Sequence, residues 1–448
     1  MTDLLSIGAS GVRGYQSALG TVSENIANSG APGYVRRTTD LREIAAPNGG
    51  LSASRITSGL GVVVAGVSRE VDQYKIAAAR TAGADLARTG TGVAWLEQVE
   101  GALSGDQLGP RITGFFASAR TLAADPGSAG ARAAMLEAAG GAADAFAATG
   151  RRLDQVAADL DASARDAVGE LDALGVALAK LNERIGRAQP GSSGAASLAD
   201  ERDRLVDRMS ELVDVNVTED AVGRATVRVG GREGPVFVAG GEAGSLVYRS
   251  ADTGAVAFGV ARRGEVSALM PSGGALGGFA DAASRLADAR VRLDALATGF
   301  AEAANAVQRQ GRDLDGQPGR PLFAAGERPT DLTVALTDPR GIAASGVGGG
   351  SRDASNLDAL ERARAGGRFE GAFTDLVAGN AAALAQRRVV AQAQTAIRDG
   401  ATAARDAASG VDLDTEAVEL MRFQQAYQAS SRVIQVARDI FQTILEVR

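Results

Sequence analysis

Asp313-Leu314-Asp315-Gly316 has the opening of a calcium loop, with two carboxylates spaced by one residue and a glycine to turn the chain. The acidic residue that should close such a loop is replaced by Leu322 and Phe323 nearby, so the expectation is a structural turn with no metal. Gly230-Gly231, Gly240-Gly241 and Gly273-Gly274 lack the Gly-Lys-Ser/Thr ending of a phosphate loop and read as hairpin turns. Asp200, Glu201 and Asp203 sit beside Arg202 and Arg204 in a helical stretch, a pattern that reads as a solvated or intersubunit charged face. Cysteine and histidine are both absent from the 448 residues, which removes disulfides, thiolate metal sites and the commonest general base. No catalytic constellation remains. The expectation is a protein that is not an enzyme and takes no cofactor.

The elements that must position any site are mostly helices with heptad seams. At the N-terminus Leu5, Val12, Leu19 and Ile26 recur every seven residues, with Gly8, Tyr15 and Val22 in the second seam position. Near the C-terminus Leu420, Tyr427, Ile434 and Phe441 repeat at the same interval, accompanied by Phe423, Ser430, Ala437 and Ile444. Two such narrow stripes at the ends of one chain predict that both termini meet in one coiled coil. A single helix of this length is marginal in water, so the ends are expected to order by packing against each other and against neighbouring chains. The first helix should end at Asn28-Ser29-Gly30, with Asn25 and Asn28 suited to capping, turn formation or an intersubunit contact. Asp414 is placed to cap the last helix, with Leu413 and Val418 as its staple and Glu416 near the positive end of the dipole.

Between the ends, residues of about 35 to 70 look extended, and helical spacing follows from Val71 through Trp95 to Leu122. A long helix is marked by Leu160, Ala167, Leu174 and Leu181 with Ala164, Leu171, Leu178 and Ile185. Alternation then takes over in four short strands, Thr226 to Val229, Val236 to Val238, Leu246 to Tyr248 and Val256 to Phe258. Phe279, Leu286, Leu293, Phe300 and Val307 mark another helix, and an Ala-rich helix runs from about Phe369 to Ala408. The fold class is therefore mainly α with an inserted small β domain, terminal helices forming a coiled coil, a helical-bundle stalk and a β-rich outer domain. The expected division is 1–50 with 409–448 as the terminal coil, 51–215 with 276–408 as the stalk, and 216–275 as the inserted β domain.

A net charge of −7 and a pI near 5.1 argue against a nucleic-acid surface. The segment from Met1 to Leu5 lacks the basic and apolar regions of a Sec-type signal, and no run of about 18 apolar residues could cross a bilayer.

Two motifs carry a resemblance to a known family. Asn25-Ile26-Ala27-Asn28-Ser29-Gly30-Ala31-Pro32-Gly33-Tyr34 resembles the N-terminal signature of the axial proteins of the bacterial flagellum. Ser409-Gly410-Val411-Asp412-Leu413, followed by Phe423-Gln424-Gln425-Ala426-Tyr427-Gln428-Ala429-Ser430, is similar to the C-terminal pattern of the FlgK type at the hook-filament junction. Gly114-Phe115-Phe116, Asp200 to Asp207 and Asp313 to Gly316 with Leu322-Phe323 extend the likeness over most of the chain. The resemblance implies export through the flagellar secretion channel without cleavage and assembly at the distal end of the hook. It also implies self-association in a ring or helical layer, contacts with hook protein and a second junction protein, and a chaperone on the C-terminal helix before export. A Cys-free chain suits life outside the cell, where stray crosslinks would form. Two other readings fit the residues: another axial subunit such as hook or distal rod protein, or a secreted coiled-coil interaction protein.

Overall fold

The computed structural model describes residues 2–44, 61–105, 107–251 and 254–446. Helix α1 (Thr2–Asn28) leads into a hairpin of β1 (Arg37–Glu43) and β2 (Val62–Arg69), antiparallel with a bulge between Asp40 and Leu41. Part of the stretch expected to be extended, residues 45–60, lies outside the described residues. Then come α2 (Gln73–Ser104), α3 (Leu108–Ala124), α4 (Ala129–Arg187) and α5 (Ser193–Leu212). Helix α4 runs for 59 residues because Ser128 caps its start by accepting from the Ala131 amide and no proline interrupts it before Pro190. Its buried side chains Leu160, Ala164, Ala167, Leu171, Leu178, Leu181 and Ile185 follow the expected heptads.

Among the described residues seven strands follow rather than the four expected. One antiparallel sheet has the order β3 (Val215–Glu219), β4 (Ala225–Val229), β5 (Val236–Ala239), β6 (Glu242–Ala243), and a second the order β7 (Ser245–Ser250), β8 (Val256–Arg262), β9 (Glu265–Leu269). Strand β9 has no alternating stripe to reveal it: only Leu269 is buried, and its pairing with β8 sets its conformation.

Helix α6 (Gly274–Gln310) returns to the bundle and buries Phe279, Leu286, Leu293, Phe300 and Val307. Two short strands, β10 (Phe323–Ala325) and β11 (Leu332–Val334), precede α7 (Ser355–Gly367), α8 (Phe369–Ser409) and α9 (Leu413–Glu446). Two cores result. One gathers α3, the first half of α4, α6, α7 and the start of α8 around Phe115, Phe116, Phe146 and Phe300. The other packs the second half of α4, α5 and the start of α6 under both sheets, with Phe237 and Val238 fully buried. Trp95 is half-buried against both cores, its ring 6.3 Å from that of Phe279. Asp281 on α6 accepts from Arg88 on α2 and Arg387 on α8, so one carboxylate ties three helices.

Candidate assembly site at the joined termini

Helices α1 and α9 run antiparallel through a seam that keeps the expected row of Gly8, Tyr15 and Val22 but replaces its companion row. A Cβ on Gly8 would stand 2.7 Å from Ile434 Cγ1 and 3.3 Å from the Ser430 carbonyl oxygen, and one on Gly11 would stand 2.6 Å from Ser430 Oγ. Tyr15 meets Phe423 with ring centroids 6.3 Å apart. The buried positions on α1 are Gly8, Gly11, Gly14, Ala18, Thr21, Val22 and Asn25. The seven-residue repeat at the interface is thus Gly11, Ala18 and Asn25, while Leu5, Val12 and Leu19 are half-buried on its flank and Ile26 is exposed. Small residues win because they let the backbones approach, and the bulky stripe is turned aside. On α9 the expected stripe does face α1: Leu420, Phe423, Tyr427, Ser430 and Ile434 are half-buried and Ala437 is buried. Phe441 and Ile444 are 53% and 51% exposed, since the pairing carries them past Thr2. Outside the seam Met421, Val433, Val436 and Ile440 also lie open, leaving α9 apolar on its outer face.

The other flank of α1 lies on the hairpin. The Val62 amide donates to Ser10 Oγ, and Thr39 Oγ1 donates to Thr21 Oγ1.

Where α1 ends, a buried polar collar joins both termini to the body. Asn25 is fully buried within the helix, so it does not cap. Its Oδ1 accepts from the Arg37 amide at 3.0 Å and the Tyr34 hydroxyl at 2.9 Å, and its Nδ2 donates to the Arg37 carbonyl and to Glu416 Oε2. Glu416, itself fully buried, accepts from Arg36 Nε at 2.6 Å. Asn28 makes only a local bond to the Glu24 carbonyl. Burial, only partly offset by Arg37, raises the Tyr34 hydroxyl above its ordinary value and keeps it a donor. The cap of α9 is Asp412, not Asp414: its carboxylate accepts from the Asp414 amide and the Thr415 hydroxyl, while Leu413 and Val418 are exposed and make no staple.

The charged stretch on α5 is the body's side of this collar and not a solvated face. Asp200 and Arg202 are 3% and 2% exposed. Asp200 pairs with Arg37 and Arg69, Asp203 with Arg69, Arg80 and Arg202, and Asp207 with Arg80. Arg36, Arg37 and Arg69 were not singled out beforehand. The sequence signal for the first two is that Arg36-Arg37 follows the Pro32-Gly33-Tyr34 turn after one residue, Val35; Arg69 carries none.

Burial pushes the Asp203 carboxyl up, but the guanidinium groups of Arg202, Arg69 and Arg80 outweigh it and hold it below its ordinary 3.8. A depressed folded value means stability that is present above pH 3.8 and is lost as the pH falls through the folded value. Asp172 and Asp294, raised chiefly by burial, act in the opposite sense. The Asp203→Asn variant should therefore be about 3–5 kcal/mol less stable at neutral pH, the cost of breaking a buried pair. The gap should begin to narrow as the pH falls below 3.8 in urea titrations and close only once the pH has passed the folded value. A gap independent of pH would contradict this account.

The Asp313 loop is a self-contained turn. The Asp313 carboxylate accepts from the Asp315 and Gln317 amides, and Asp315 pairs with Arg340. Among the described residues no three acidic side chains gather as a metal site would need, and no helix is long and apolar enough to cross a membrane.

Residues 95–323, just over half the chain, match the family "Flagellar hook-associated protein FlgK helical domain". Residues 405–447 match "Flagellar basal body rod FlgEFG protein C-terminal". The chain is 30% identical to flagellar hook-associated protein 1 of Salmonella typhimurium over 355 residues, covering 75% of this chain and 63% of the relative. It thus matches less than two thirds of that relative's length. It is 24% identical to the protein of the same name in Bacillus subtilis, over 96% of this chain and 95% of the relative. The flagellar hook junction protein FlgK of Burkholderia pseudomallei superposes with a TM-score of 0.50 at 26% identity, covering 56% of this chain and 46% of that one.

Proposed function

We propose, from the premise that this chain belongs to the FlgK family of flagellar hook-associated proteins, that it is a structural subunit assembling at the distal end of the hook as the hook-filament junction adaptor. The observation that supports this most is the terminal pair: α1 and α9 share one seam yet leave Met421, Val436, Phe441 and Ile444 open to solvent. A helix pair with apolar side chains outside its own seam is suited to packing beside copies of itself. In this reading residues 1–50 and 409–448 form the tube wall, 51–215 and 276–408 the stalk, and 216–275 the outer cover. The neighbours are further copies, hook protein and a second junction protein, and an export chaperone holds the C-terminal helix. Export proceeds through the flagellar channel without a cleaved signal, to an extracellular place on the flagellum.

Deletion of the gene tests the reading. Electron microscopy should show hooks without filaments, with flagellin monomers in the medium. Missing hooks would point to a rod or hook subunit, and normal flagella would refute an axial role altogether.

A further inference from the structure

We propose that Glu416 sets the register of the terminal helix pair, selecting one alignment among several that the apolar seam allows. The α9 stripe repeats every seven residues, Phe423, Ser430 and Ala437 on one row and Leu420, Tyr427 and Ile434 on the other. It faces Gly8, Gly11 and Ala18, which offer little bulk to interlock with. A slip of one heptad would bring Ala437 or Phe423 opposite Gly11 in place of Ser430. The Phe423 register would have to open the close approach, but an alanine suits that glycine at least as well as a serine does, so packing alone does not exclude the Ala437 register.

The collar does. Asn25 is oriented before α9 arrives, because its Oδ1 accepts from both the Arg37 amide and the Tyr34 hydroxyl, leaving Nδ2 turned toward Glu416. Arg36 is held by Glu70, and its own amide donates to the Ser409 carbonyl. A one-heptad slip moves Glu416 about 10 Å along the helix. It then lies level with buried Ala18 or beyond the end of α1, away from both Arg36 and the Asn25 amide, so that its carboxylate loses its partners and Arg36 keeps only Glu70. An uncompensated buried charge is disfavoured far more than a changed apolar contact, so one buried polar group can fix register where apolar repeats cannot. This inference concerns pairing within one chain and holds wherever the chain assembles.

The absence of native cysteine makes disulfides a clean test on the purified full chain. Gly11→Cys with Ser430→Cys reports the native register. Gly11→Cys with Ala437→Cys or with Phe423→Cys, each carrying Ser430→Ala to clear the hydroxyl, reports the slipped ones. With Glu416 intact, only the native pair should oxidise readily. In the Arg36→Met, Glu416→Leu background the ratio of native to slipped disulfide should fall by about tenfold or more, the factor that roughly 1.4 kcal/mol makes. Glu416→Gln, which keeps the shape, should give a smaller shift in the same direction. The proposal is overturned if both backgrounds still oxidise only the native pair, if neither yields any pair, or if the slipped pairs oxidise as readily when Glu416 is intact.

Discussion

Replacing Gly8 with leucine is expected to part the terminal helices and abolish filament attachment while leaving the helical body folded. The added Cβ would meet Ile434 Cγ1 at 2.7 Å, and behind that atom stand the Ser430 carbonyl and the Ile434 amide nitrogen at 3.3 and 3.4 Å. The side chain could rotate away, but the backbone could not, so α9 must move. Overpacking typically costs about 1–3 kcal/mol. That exceeds what a marginal two-helix contact can absorb, since helices standing apart from a core gain little stability of their own. Limited proteolysis of the purified variant should remove both ends and spare the region from α2 to α8. Cells carrying the variant should fail to spread in soft agar. Leu19→Asp is the informative control, because Leu19 is half-buried on the flank and should leave the pairing within the chain largely intact. Terminal helices as protease-resistant in Gly8→Leu as in the parent would show that the close approach is not needed.

This contrast also marks what could be read from residues alone. Helices α4 and α6 were legible because their apolar heptads are bulky, and bulk is what a periodicity argument weighs; α6 buries the side chains expected of it, and α4 all of its own but the half-buried Leu174. On α1 the same weighing finds only one of the two seam rows. The row of Gly8, Tyr15 and Val22 lies where the heptads place it, but its companion row is Gly11, Ala18 and Asn25, which offers little apolar bulk to reveal it, whereas Leu5, Val12 and Leu19 stand out by their size. The collar was hidden differently. Asn25 and Glu416 are 391 residues apart, and their neighbours explain each of them locally as a cap or a dipole residue. Only the folded chain brings both to Arg36 and Arg37, and through Arg37 to Asp200 on α5. Charge alternation on α5 looked solvated because its countercharges come from the hairpin, far away in sequence.

Phe300→Ala should be the most destabilising single substitution in the body, by about 3–5 kcal/mol. Its ring lies 5.3 to 6.0 Å from those of Phe115, Phe323, Phe146, Phe369 and Phe116, so it joins α3, α4, α8 and β10 to α6. The side chain is 1% exposed, and the five rings around it are fixed by their own helices or by β10, so the cavity cannot collapse without tilting an element. A domain is stable by only about 5–15 kcal/mol, which makes this one truncation a large share of the total. Trp95 is the only tryptophan and touches both cores, so its fluorescence in a urea titration reads the loss directly. Phe441→Ala removes a side chain of the same size from a place where it is 53% exposed, and it should leave that midpoint unmoved. If Phe441→Ala nevertheless stops filaments from attaching, its ring acts on a neighbouring subunit and not on its own fold. Equal midpoint shifts for the two variants would instead mean that the terminal coil and the body unfold as one unit.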